Sequence, residues 1–148
     1  MALRMDNVLI VVDDIEAAKA FFIELGMEVE GEMPIEGSWA DRVTGIDNTK
    51  AQIAMMRTPD GRGKIELDKF HAPAALDRDE KNAPVNTLGI RRIMFAVDDI
   101  DDVVKRLRRH GAELMGEIVN YNDIYRLCYM RGPEGLMVGL AEELRRKG

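Results

Sequence analysis

Through Asn7-Val-Leu-Ile-Val-Val12 the chain sends Val8, Ile10 and Val12 to one side and Asn7, Leu9 and Val11 to the other. Arg92-Ile-Met-Phe-Ala-Val97 does the same, with Ile93, Phe95 and Val97 set against Arg92, Met94 and Ala96. A period of two belongs to a strand. Each run leads into Asp-Asp-Ile, at Asp13–Ile15 and Asp98–Ile100, and there the period changes. Ile15, Ala18, Phe22 and Leu25 recur at helical spacing, as do Ile100, Val103, Val104 and Leu107. The aspartates offer carboxylate N-caps, while Glu16 and Asp101 add negative charge in the first turn, where the helix dipole favours it. Gly26 and Gly111 follow at the place of a left-handed C-cap. The pattern predicts two strand–helix pairs.

These pairs are copies of one another. Asn7 to Ile15 aligns with Arg92 to Ile100 at an offset of 85. The same offset carries Gly26 onto Gly111, Glu28 onto Glu113 and Gly31-Glu32 onto Gly116-Glu117. An ungapped match of this length marks the duplication of one supersecondary unit. In the first copy, further strands are expected at Met27 to Glu32, roughly Arg42 to Ile46, Ala51 to Arg57 and Lys64 to Phe70. In the second they are expected at Ala112 to Val119, Ile124 to Arg131 and Leu136 to Ala141. Pro59-Asp60-Gly61 and Pro133-Glu134-Gly135 supply turns before the last strand of each copy. The expected fold is α+β, with two tandem βαβββ modules at about 4–70 and about 89–143 and a charged linker at about 71–88. Modules this small bury too little to stand alone, so residues 1–148 are read as one domain with an internal pseudo-two-fold.

Strand alternation also separates a packing face from a cavity face. Val8/Ile10/Val12, Ile65/Leu67, Ile93/Phe95/Val97 and Leu136/Val138/Leu140 are bulky and apolar, fit to lie beneath helices. The opposite faces carry Asn7/Leu9/Val11, Glu66/Asp68, Arg92/Met94/Ala96 and Met137/Gly139/Ala141. Polar, flexible and small residues mixed in this way suit a ligand cavity better than a dry core. Asn7, Glu66, Arg92 and Gly139 are related in pairs by the repeat and should converge on its axis.

Composition narrows the function classes. The 148 residues are 46% hydrophobic and 32% charged, an ordinary globular balance. No apolar run reaches the roughly 18 residues of a membrane span, and the start lacks a basic-then-apolar leader, so neither a membrane nor a secretory protein is expected. The single Cys128 fits a reducing, cytoplasmic setting. A net charge of −6 argues against a nucleic-acid partner.

Paired βαβββ modules with V-x-D-[IL] helix starts and a P-[DE]-G turn before the closing strand resemble the vicinal oxygen chelate superfamily. That family includes glyoxalase I, extradiol dioxygenases and bleomycin-binding resistance proteins. The resemblance runs from about Arg4 to Glu143 and implies the glyoxalase-like fold and a homodimer. It also implies four inward positions that hold a divalent cation in metal-dependent members. On this chain they are Asn7 in place of His, Glu66 matching the family's Glu, Arg92 in place of His, and Gly139 in place of Glu. Only one of the four is retained. Arginine has no lone pair to give, and a guanidinium about 4 Å from a dication costs roughly 8 kcal/mol at an effective dielectric of 20. No metal cofactor is expected.

The chemistry then rests on other residues. Arg92 is expected to hold an anionic ligand, and Glu66 to act as base or polar anchor. A close Arg92–Glu66 pair would lower the carboxyl pKa and oppose base catalysis. Gly139 is read either as backbone packing or as room for ligand, and Trp39 with Arg42 either as a lid or as a stapled loop. Tyr125, Leu127 and Tyr129 alternate with Arg126, Cys128 and Met130, and the pattern does not say which set borders the cavity. Three functions follow. One is a glyoxalase-like lyase or isomerase for a small anionic or thiol-conjugated, glutathione-like molecule. Another is a sequestering protein of the resistance type. The third is a regulatory dimer with a vestigial cavity.

Overall fold

The computed structural model describes residues 1–77 and 81–144, in two compact units, Met1–Asp77 and Arg78–Gly148. In the first unit, β1 (Val8–Val11) leads into α1 (Ile15–Leu25). β2 (Glu28–Glu36), α2 (Ser38–Thr44), β3 (Lys50–Arg57) and β4 (Lys64–Ala72) follow. The sheet order is β1-β4-β3-β2, with β1 parallel to β4 and the other pairs antiparallel. Asp14 Oδ1 accepts from the Ala17 amide at 3.0 Å, the cap that starts α1, and Gly26 ends the helix at φ 118°. Ile15, Ala18, Phe21 and Phe22 are buried on α1, while Ile65, Leu67, Ala54 and Met56 are buried on one face of the sheet. That face is the first unit's core. On the other face Leu9 and Val11 are exposed.

The second unit repeats the plan. It runs β5 (Arg92–Val97), α3 (Ile100–Arg108), β6 (Glu113–Leu114), β7 (Val119–Tyr121), β8 (Tyr125–Arg131) and β9 (Met137–Glu143). The sheet order is β5-β9-β8-β6, with β7 also on β8. Asp99 Oδ1 caps α3 through the Asp102 amide at 3.1 Å. Ile100, Val103, Val104 and Leu107 are buried with Val138 and Leu140.

Several sequence expectations are corrected. The region around Arg42 to Ile46 is not a strand; Ser38–Thr44 forms α2. Gly37 and Gly45, at φ 106° and 75°, bracket that helix. Asp41 then ties off the following turn by accepting from the Asn48 and Thr49 amides, each at 2.9 Å. The single strand expected at Ala112 to Val119 is two short ones. Gly116 lies in the break, where a residue without a side chain gives a strand nothing to pack. The C-cap of α3 is Arg109 in a right-handed conformation, with Gly111 two residues beyond it at φ 84°. The expected linker is partly ordered structure: His71 and Ala72 close β4, and the Arg131 guanidinium donates to the Ala83 carbonyl. Its residues 78–80 lie outside the described residues.

Candidate functional site

In the first unit, Glu66 and Asp68 sit two residues apart on β4 and so share a face. Leu9 and Met55 flank Glu66 in the neighbouring strands, and Val11 and Ile53 flank Asp68. Asp68 is 7% exposed, and its Oδ1 is buried without a hydrogen-bond partner. Burial, together with the hydrogen bond and the charge of Glu66, pushes its carboxyl up to about 8. Glu66 is the one charged side chain acting on it among the described residues. Both effects favour the neutral form of Asp68. Asn7 spends its amide on Asp6, with Nδ2 to Oδ2 at 2.9 Å.

Trp39 and Arg42 are carried by α2, three residues apart and hence on adjoining parts of one helix face. Trp39 is 53% exposed, and Arg42 Nε donates to the Ser38 carbonyl at 3.4 Å. His71 borders an open cleft of about 350 Å³ with Glu32, Met33, Pro34, Ala51 and Gln52.

In the second unit, register decides what alternation left open. Tyr129 is opposite Gly139, and Gly139 is opposite Met94, so Tyr129 shares the face of Arg92. Arg92 Nε donates to the Tyr129 hydroxyl at 3.0 Å, and its guanidinium carbon lies 5.3 Å from the Tyr129 ring centre. To get there from β5 the arginine crosses β9 above Gly139. A Cβ built at Gly139 would stand 3.5 Å from Arg92 Cδ and 3.3 Å from Met94 Cγ. The space beside Gly139 is thus taken by these two side chains. Arg131 also faces this side, but its guanidinium is spent on the Gly135 and Ala83 carbonyls. Cys128 points the other way and is buried, with its thiol pushed up to about 11, so it is no thiolate at neutral pH.

In the second unit, the two positions where the resemblance implies metal ligands do not fit a divalent cation. Gly139 brings no ligand, and Arg92 brings hydrogen-bond donors already docked on a tyrosine. Among the described residues no group of three or more His, Cys, Asp or Glu is placed to hold a metal. Sequence reasoning missed Asp68 and Tyr129. The first was visible as the face-mate of Glu66; the second needed the β8–β9 register.

Residues 4–140 match the model of the Glyoxalase/Bleomycin resistance protein/Dioxygenase superfamily. A glyoxalase family protein from Bacillus cereus is 54% identical, with a TM-score of 0.92 over 97% of this chain and 96% of that one. The uncharacterised protein YaeR of Escherichia coli (strain K12) is 26% identical over 141 residues, 95% of this chain and 96% of its own. TnmS3, an antibiotic-binding protein from Streptomyces sp. CB03234, shares the fold at 19% identity. Its TM-score is 0.61 over 97% of this chain and 98% of that one.

Proposed function

The chain belongs to the glyoxalase/bleomycin resistance protein/dioxygenase superfamily, and we propose that it binds a small anionic or thiol-conjugated molecule at a site that uses no divalent metal. One observation carries the reading. At the position where the resemblance implies a histidine stands Arg92, an exposed cation whose terminal nitrogens make no bond among the described residues. In a chain of net charge −6, such a cation on a sheet face it shares with Met94, Ala96, Gly139 and the Tyr129 ring suits an anionic ligand with an apolar body. In the first unit, Asn7, Glu66, Trp39 and Arg42 remain candidates in their own right. The antibiotic-binding protein of the same fold makes sequestration a natural form of this function.

The second reading is a lyase or isomerase that moves a proton, and Asp68 favours it. A neutral carboxyl beside Glu66 can hold or return a proton near neutral pH. Turnover of any bound ligand that Glu66→Gln abolishes would establish it.

The binding reading is tested by a thermal-shift and calorimetric screen of small carboxylates and thiol conjugates against the full chain. Ligands that raise Tm should lose at least about tenfold in affinity in Arg92→Ala, because a charge-assisted contact is worth about 1.5–3 kcal/mol. Unchanged affinity in that variant would sink the proposal. The homodimer belongs to the same proposal, and light scattering on the same samples should read the mass of two chains.

A further inference from the structure

Arginine can offer a carboxylate two edges: the side edge of Nε with one terminal nitrogen, and the end edge of the two terminal nitrogens. Here the side edge is closed, because Nε donates to the Tyr129 hydroxyl at 3.0 Å. The side chain is also fixed in position. It runs over Gly139, 3.5 Å from where a Cβ would stand, with the Tyr129 ring 5.3 Å from the guanidinium carbon. Met94 fills the remaining side at Gly139. Arg131, the other arginine in register on this face, is withdrawn onto backbone carbonyls.

We infer that Tyr129 and Gly139 are positioning residues that present the two terminal nitrogens of Arg92 end-on to a ligand carboxylate. The inference rests on the binding reading above and adds the ligand group and the residues that aim the cation. Gly139 gives Arg92 passage across β9, and Tyr129 holds it at the far side. With Arg131 withdrawn, Arg92 is the one available guanidinium on this sheet face among the described residues, which matches one negative charge, so a monoanionic carboxylate is preferred to a phosphate dianion. Holding the arginine in place removes rotamer entropy that a free side chain would lose on binding.

The experiment is NMR on the full chain labelled with ¹⁵N-arginine, with the Arg92 Nε signal assigned by its loss in Arg92→Lys. Benzoate is the probe, and inorganic phosphate at matched ionic strength is the comparison. Benzoate should shift the Arg92 signal saturably and bind more tightly than phosphate. Tyr129→Phe keeps the ring and removes the hydroxyl, and should weaken benzoate about tenfold. Gly139→Val should weaken it at least as much, while both variants keep the backbone spectrum of the folded chain. Should Gly139→Val prove unfolded, Tyr129→Phe, read against Tyr129→Leu, carries the comparison.

The outcomes separate the two readings. If benzoate binds at Arg92 but ignores Tyr129→Phe and Gly139→Val, the positioning inference falls and the binding reading stands. Phosphate binding as tightly as benzoate overturns the carboxylate assignment. If neither probe moves the Arg92 signal of the wild type, the binding reading itself fails, and this inference with it.

Discussion

Asp68 is the residue whose physics is least expected from its type. Aspartate is seldom buried without a cationic partner, yet this one is 7% exposed, and its charged neighbour is another carboxyl. Its pKa in the folded chain is raised from 3.8 to about 8 by burial first and Glu66 second. Between those values the folded state holds a proton that the unfolded state has released, so the stability due to the neutral carboxyl is complete at low pH. It is lost as pH rises toward the folded pKa. The wild type should therefore lose up to about 1.4 kcal/mol per pH unit relative to Asp68→Asn across this window. Urea unfolding of both proteins from about pH 5 to about pH 8 checks it, and parallel profiles would refute the assignment. In the sequence, the i, i+2 spacing already put Glu66 and Asp68 on one face. What alternation cannot convey is depth, because burial of Asp68 depends on Val11 and Ile53 arriving from neighbouring strands.

At the scale of elements, the duplication made most of the fold legible. The two Asp-capped helices and the strands before them stand where the pattern put them, since cap, dipole and apolar stripe all favour the same local structure. Removing a cap tests this at both copies. Asp14→Ala and Asp99→Ala should each cost about 1 kcal/mol in denaturant unfolding, and a loss in one copy only would show that the helices are not equivalent. The misread element is α2. Seven residues are too few to display a helical stripe, and Trp39, Val43 and Thr44 all have strand preferences. The informative signals were Gly37 and Gly45, left-handed positions at its two ends. The strand β8 was found, but not which of its faces mattered. Tyr125, Leu127 and Tyr129 are no more cavity-like than Arg126, Cys128 and Met130 until the register with β9 sets Tyr129 opposite Gly139.

At the scale of the whole molecule, the superfamily fold is kept, and the positions where the resemblance implies metal ligands carry other contacts. Asn7 is tied to Asp6, Glu66 to Asp68, and Arg92 to Tyr129, and Gly139 gives passage to Arg92 and Met94. Asn7, Arg92 and Gly139 stand where the resemblance implies metal ligands, and on the proposal above Arg92 serves an organic ligand in place of a cation. That exchange is the central claim. It is tested most directly by elemental analysis of untagged protein purified without chelator and then offered nickel, zinc, manganese and iron. The account predicts no metal near one equivalent per chain. Near-stoichiometric metal that disappears in Glu66→Gln would contradict it and return the site to metal-assisted chemistry.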